Sequence, residues 1–145
     1  MRMMSRVVLV GSLALIAVGA IAMSGVSKRE EINHGKYLVE QVAMCVDCHS
    51  PRNEKGEFVT ERWLGGAPLD FRPVHPMPWA EQAPPLAGMP GWEEDEMVKL
   101  LQTGATPSGD PLRPPMPAYR MTEADARAVT AYLRSLKPVA LTTDD

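Results

Sequence analysis

The chain has 145 residues and a formal net charge of −3, a size suited to one modest domain. The acidic balance argues against nucleic-acid binding, which requires a basic surface. The negative net charge is compatible with a basic partner, but it does not show which surface would bind that partner. Composition divides the chain into a hydrophobic segment over 1–27, a connector over 28–31, a folded domain over 32–138 and a flexible tail over 139–145.

The N-terminal segment contains no charged side chain over 7–27. As a helix it would extend about 31 Å, which is sufficient to cross a bilayer. Arg2 and Arg6 precede it and favour a cytoplasmic N-terminus, with the rest of the chain outside. The small residues at 20–22 also resemble a signal-peptide cleavage site. We prefer a membrane anchor to a cleaved signal peptide, and both interpretations export the folded domain.

Three stretches of the folded domain carry apolar residues at helical spacing, over 32–44, 93–103 and 122–136. Between them, 50–83 and 105–121 are rich in proline and glycine and are predicted to be irregular. These patterns predict an all-α fold with long connecting segments.

Local signals mark the ends of these helices. Gly104 stands just past the second helix, where glycine commonly ends a helix. Thr122 is placed to be the N-cap of the third, with Asp125 as its capping-box partner. Gly35 lies inside the first stretch, either near a helix start or where close packing needs glycine. His34 beside it is expected to be a solvated residue.

The sequence Cys45-Val46-Asp47-Cys48-His49 contains the only two cysteines and matches the C-x-x-C-H signature for covalent attachment of haem c. On a helix, positions i, i+3 and i+4 share one face, so two thiols and an imidazole point the same way. The thiols can form thioethers to haem, and His49 can ligate the iron. The alternatives are a redox disulfide, which is expected beside a βαβ unit, and a zinc site, which usually needs four ligands. We predict one covalently bound haem c.

The chain has ten methionines that are candidates for the sixth iron ligand. Met116 has prolines at 114, 115 and 117, which stiffen the backbone on both sides. A methionine thioether opposite histidine produces an electron-transfer haem, whereas the alternative role of methionine is a flexible core filler. Met77, between two prolines, is the second candidate, followed by Met89 and Met121.

The irregular segment 50–83 is too apolar for a linker, with two tryptophans and two phenylalanines. We predict that it packs as a lid over one haem edge. Arg62, Arg72 and Trp79 are candidate donors to the haem propionates. The alternative is that they are surface arginines and a core tryptophan.

From 32 to 138 the chain resembles class I cytochromes c, most closely the haem domains of dehydrogenase-associated cytochrome subunits. The resemblance rests on C-V-D-C-H at 45–49, P-P-L-A-G at 84–88, P-P-M-P-A-Y at 114–119 and D-A-R-A-V-T-A-Y-L-R-S-L at 125–136. Those subunits often carry several haem domains, and this chain has one attachment motif.

The resemblance implies a class I cytochrome c fold, in which three to five helices wrap around one haem. It implies that the first and last helices cross, with Gly35 close to the face carrying Tyr132 and Leu133. It also implies that the Pro84 carbonyl accepts a hydrogen bond from His49 Nδ1–H and that Leu86 packs on the haem.

These observations predict an electron carrier rather than an enzyme. It would transfer one electron between larger respiratory, photosynthetic or dehydrogenase complexes on the outer face of the cytoplasmic membrane, held there by 7–27. One alternative is a soluble periplasmic shuttle, released by signal cleavage. Another is a haem enzyme or gas sensor, which requires an open sixth coordination site.

Overall fold

The structure, a computed structural model, describes residues 27–139. Contacts divide the chain into two units, 1–31 and 32–145. In the first unit, residues 27–31 are described, and they are helical and exposed. The predicted hydrophobic segment over 7–27 and the tail over 139–145 lie outside the described residues except for one residue each. Within residues 27–139, no helix combines the length and apolar character needed to cross a bilayer.

The described part of the second unit contains four α-helices. They are α1 at 32–37, α2 at Cys45–His49, α3 at Glu94–Thr103 and α4 at Glu123–Ser135. The predicted helix over 32–44 changes character before its end, because α1 passes into a π-helical turn at Leu38–Val42. Met44 then adopts a left-handed backbone with φ of 50°. This break separates α1 from α2 and lets the cysteine-bearing helix start in a new direction.

The ends of α3 and α4 follow local chemistry. In α3, Glu93 and Glu96 form a reciprocal capping box that the sequence analysis did not anticipate. Gly104 ends α3 with φ of 72°, as predicted. In α4, the Asp125 backbone N–H donates to Thr122 Oγ1 over 3.2 Å, so Thr122 is the predicted N-cap. The Asp125 carboxylate accepts from the Thr122 hydroxyl, rather than from its backbone N–H as a full capping box requires.

Helices α1 and α4 approach closely at Gly35. A Cβ atom on this residue would lie 1.8 Å from the Ala128 carbonyl oxygen and 2.9 Å from Tyr132 Cβ. The expected close approach is therefore confirmed, and the alternative of a helix start at this glycine is wrong. His34 is half-exposed and places Nε2 2.8 Å from Asp125 Oδ1, so it pairs with α4 instead of being only solvated.

Short regular elements occur within 50–83. A 3₁₀ turn occupies Thr60–Arg62, and a two-residue strand β1 at Ala67–Pro68 pairs antiparallel with β2 at Gln82–Ala83. In this register Ala67 lies opposite Ala83. The described fold is therefore predominantly helical, with one minimal strand pair that the all-α prediction did not include.

The buried core lies mainly between α3 and α4 and extends to α1 and the 64–89 region. Its apolar members include the following: Val39, Leu64, Met89, Met97, Leu100, Leu101, Val129 and Leu133. Several of these side chains also line the cavity described next, which places that cavity against the core.

Candidate functional site

A cavity of about 460 Å³ adjoins the core. This volume is within the range of sites that hold small molecules or cofactors. Most of its surface is apolar, and helices α3 and α4 contribute Met97, Leu100, Leu101, Val129 and Leu133. Such a lining favours a large apolar ligand over a hydrated one.

Helix α2 brings its three predicted site residues into this cavity. Cys45, Cys48 and His49 all line it, as their i, i+3 and i+4 spacing predicts. Cys45 is 9% exposed and His49 is 5% exposed. The helix is only five residues long, and its position depends on the π-helical turn and the left-handed Met44 before it.

No disulfide bond joins Cys45 and Cys48. Burial raises the pKa of Cys45 to about 11 and also raises the pKa of Cys48. A reactive C-x-x-C pair in a thiol–disulfide enzyme has the opposite property, a lowered pKa that favours the thiolate. Among residues 27–139, no three histidine, cysteine or carboxylate side chains form a metal-binding group. The geometry therefore supports neither the redox-disulfide nor the zinc alternative.

The imidazole of His49 is oriented by the backbone. Its Nδ1 lies 2.7 Å from the Pro84 carbonyl oxygen. A carbonyl only accepts, so Nδ1 carries the proton and Nε2 keeps its lone pair for a metal. Burial lowers the pKa of His49, which further favours the neutral ring. The hydrogen bond implied by the resemblance is present.

The loop of Met116 forms another part of the cavity lining. Of the four methionines considered as ligands, Met116 alone lines it. Met89 is 3% exposed in the core, Met121 packs against the core, and Met77 is half-exposed beside a second cavity. The thioether of Met116 and the imidazole of His49 therefore share one cavity.

Pro84 and Leu86 line the cavity, but the three predicted propionate donors do not. Arg72 and Trp79 line the second cavity, of about 430 Å³, and Trp79 Nε1 donates to the Phe71 carbonyl over 3.1 Å. Arg62 Nε is buried without a hydrogen-bond partner among the described residues. Contacts of these three residues with haem propionates stay predictions.

The cavity residues that the sequence analysis did not assign to the site include two with polar groups, Arg113 and Tyr119. Arg113 is exposed at the cavity and could donate to an anionic group there. The Tyr119 hydroxyl donates to the Ala43 carbonyl over 2.8 Å, and burial raises the pKa of Tyr119 to about 12. The signal for both was their position in the same proline-rich run as Met116.

These residues fit a covalently attached haem c. Two thiols on one helix face match the two thioether bonds of this cofactor. An imidazole with a free Nε2 and a thioether sulfur are suitable axial donors. The apolar cavity provides the surface against which a porphyrin can pack, and no group in it competes as a preformed metal site within the described residues.

The family comparison agrees with this geometry. The family model for cytochrome c matches residues 32–137, and the chain belongs to the cytochrome c family. The family implies a covalently bound haem c and an electron-transfer role. The resemblance to class I c-type cytochromes that accompany dehydrogenases is confirmed by the family match and the relatives below.

Similar proteins include subunits of dehydrogenases. The chain is 29% identical over 117 residues to the fructose dehydrogenase cytochrome subunit of Gluconobacter japonicus, covering 74% of this chain and 22% of that protein. It is 30% identical over 129 residues to the alcohol dehydrogenase (quinone) cytochrome c subunit of Gluconacetobacter polyoxogenes, covering 75% and 25%. It is 27% identical over 138 residues to a diheme cytochrome c-type protein of Cereibacter sphaeroides, covering 91% and 44%. The chain thus spans less than half the length of each of these relatives.

Proposed function

We propose that this protein is a single-haem electron carrier in which His49 and Met116 ligate the iron. The observation that carries the proposal is the shared cavity: Cys45, Cys48, His49 and Met116 all line it. When bound, haem c supplies an iron that alternates between ferrous and ferric states. No bond in a substrate is changed, so the role is electron transfer and not catalysis.

Residues of the chain would orient the histidine ligand, line the haem site and raise the reduction potential. The hydrogen bond from His49 Nδ1 to the Pro84 carbonyl, 2.7 Å long, fixes the ring and would leave Nε2 free to hold the iron. Leu100 and Leu133 line the cavity and would keep water away from a haem bound there. A thioether opposite histidine raises the reduction potential, so Met116 would favour the ferrous state.

We also propose the location and the kind of partner. Residues 7–27 would hold the haem domain on the outer face of the cytoplasmic membrane, because they are uncharged and follow two arginines. The partner would be a larger membrane redox complex, since similar proteins are cytochrome subunits of dehydrogenases. Tethering would raise the carrier's effective concentration near such a complex.

The ligand assignment is tested by optical spectroscopy of the haem-loaded protein with added cyanide or carbon monoxide. Wild type should be low-spin, show the methionine band at the red end of the oxidised spectrum and resist both ligands. Met116→Ala should lose the band and bind them. Met77→Ala is the matched control, because Met77 is also flanked by two prolines but lies beside the second cavity. It should behave as wild type.

Two results would contradict this assignment. If wild type binds cyanide or carbon monoxide readily, the sixth position is open and an enzyme or gas sensor becomes the better interpretation. If Met77→Ala loses the band while Met116→Ala keeps it, the ligand is Met77.

The anchor is tested separately by mass spectrometry of protein purified from membranes. An intact chain beginning at Met1 is expected. A chain that begins just after Ala22 would show signal cleavage and support the soluble periplasmic shuttle instead.

A further inference from the structure

We infer that the Tyr119 hydroxyl is a positioning group for the sixth iron ligand. Its hydrogen bond to the Ala43 carbonyl sets the distance between the loop that carries Met116 and the segment that carries the haem-attachment helix. The inference rests on the proposed ligation by Met116 and adds to it a residue that controls how firmly the thioether is held.

The bond joins two distant parts of the chain beside the cavity. Tyr119 and Ala43 are 76 positions apart, and 2.8 Å separates the hydroxyl from the carbonyl oxygen. Both residues line the cavity. Ala43 follows the π-helical turn, and its own N–H donates to the Leu38 carbonyl over 2.8 Å. The acceptor is therefore a backbone group that is itself held in place, two residues before Cys45.

The other hydrogen bonds of the loop that carries Met116, residues 112–121, connect it to different parts of the chain. The Pro114 carbonyl accepts from the Ala80 N–H over 2.8 Å, and the Met121 N–H donates to the Leu101 carbonyl over 3.1 Å. These bonds tie the loop to the 50–83 segment and to α3. Among the hydrogen bonds of residues 27–139, only the one from Tyr119 connects 112–121 with 43–49.

Stiffness of the loop makes this single bond effective. Prolines at 114, 115 and 117 fix φ on both sides of Met116, so the loop responds to a displacement as a unit instead of absorbing it locally. Tyr119 lies three residues beyond Met116 at the end of this run. Loss of its hydroxyl bond would therefore shift the sulfur relative to the iron, and the thioether would be displaced more often.

Tyr119→Phe tests the inference, because it keeps the ring and removes only the donor. In the haem-loaded ferric protein, we expect cyanide to bind about fivefold faster than in wild type, the factor that corresponds to one lost neutral hydrogen bond. The methionine band should also disappear at a lower temperature than in wild type. The cyanide-binding rate, measured at a temperature where the protein is fully folded, reports on the iron ligand and not on the folded fraction.

Tyr132→Phe is the matched control. The Tyr132 hydroxyl donates to Glu40 Oε1 over 2.6 Å, and Tyr132 does not line the cavity. This variant should lose stability by a similar amount while its cyanide-binding rate and methionine band stay as in wild type. The pair of variants therefore separates positioning of the ligand from general weakening of the fold.

The outcomes distinguish the two proposals. If Met116→Ala opens the site but Tyr119→Phe binds cyanide at the wild-type rate, the positioning role is overturned and Met116 ligation stands. If both tyrosine variants accelerate binding equally, the effect is general loosening and the positioning role is again overturned. If wild type is already reactive, ligation by Met116 fails and the inference fails with it.

Discussion

At the scale of single residues, one carboxylate illustrates how distant parts of the chain are joined. Asp125 Oδ1 pairs with His34 Nε2 over 2.8 Å, and its Oδ2 accepts from the Thr122 hydroxyl over 2.8 Å. These hydrogen bonds, first the one from His34, lower the pKa of Asp125. The group lies at the surface, where such pairs contribute little each, but this one links α1 to the first turn of α4.

The lowered pKa predicts how stability depends on pH. A carboxyl whose pKa is lower in the folded state stabilises the fold above its unfolded pKa, here 3.8, and loses that contribution as pH falls through the folded value. Asp125→Asn should thus be less stable than wild type at pH 7. The difference should shrink as the pH is lowered below 3.8. Urea unfolding at neutral and acidic pH measures it.

Asp70→Asn is the control for this prediction, because Asp70 is exposed and belongs to none of the ion pairs among the described residues. Its stability should follow that of wild type at both pH values. A difference between wild type and Asp125→Asn that stays constant down to acid pH would contradict the assigned pKa.

At the scale of elements, the crossing of α1 and α4 depends on the absence of a side chain. The position that a Cβ of residue 35 would take is 1.8 Å from the Ala128 carbonyl oxygen. That oxygen belongs to the α4 backbone and cannot move without the helix. Glycine weakens a helix by about 1 kcal/mol relative to alanine, so its place within α1 is explained by packing rather than by helix propensity.

Gly35→Ala should therefore change the free energy of unfolding in two opposite directions. Helix propensity would stabilise the variant by about 1 kcal/mol, whereas overpacking of a tight contact costs about 1–3 kcal/mol or more. A 1.8 Å contact with a backbone atom is far inside van der Waals distance, so we expect net destabilisation in urea unfolding of the haem-loaded protein. The exposed Asn33→Ala in the same helix should gain stability. A more stable Gly35→Ala would refute the tight crossing.

At the scale of the whole molecule, the cavity lies among side chains that would otherwise form a packed hydrophobic core. Leu100, Leu101 and Leu133 are at most 5% exposed, yet each lines a cavity of about 460 Å³. Without an occupant, these apolar side chains lack packing partners on the cavity side. A bound haem would supply those contacts and would therefore be a structural part of the fold.

Loss of covalent attachment should expose this dependence. In Cys45→Ala/Cys48→Ala, haem should be removable by acidified organic solvent, whereas wild type should retain it. The haem-free variant should then show reduced helical signal in far-ultraviolet circular dichroism and no cooperative unfolding. Full helicity with a cooperative transition in the haem-free variant would contradict a structural role for the cofactor.

The predictions that the structure confirms most directly concern features formed by residues close together in the sequence. Thr122 and Gly104 mark the ends of α4 and α3 through contacts within a few positions, so their sequence signals suffice. The π-helical turn at Leu38–Val42 has no comparable signal. Arg72 and Trp79 line a second cavity, a position that follows from the path of the irregular segment and that no periodic pattern reveals. Their contact with haem stays a prediction.

The sequence by itself determined the chemistry of attachment, because Cys45, Cys48 and His49 share one helix face through covalent spacing alone. It also determined the presence of the main helices, since apolar periodicity is local. Only the tertiary structure decided which of the four candidate methionines lines the cavity with His49 and that Tyr119 reaches Ala43 across 76 positions. These contacts depend on how segments that are far apart in the sequence pack together. That packing is determined by many weak interactions throughout the fold, whose sum is the small net stability of the domain.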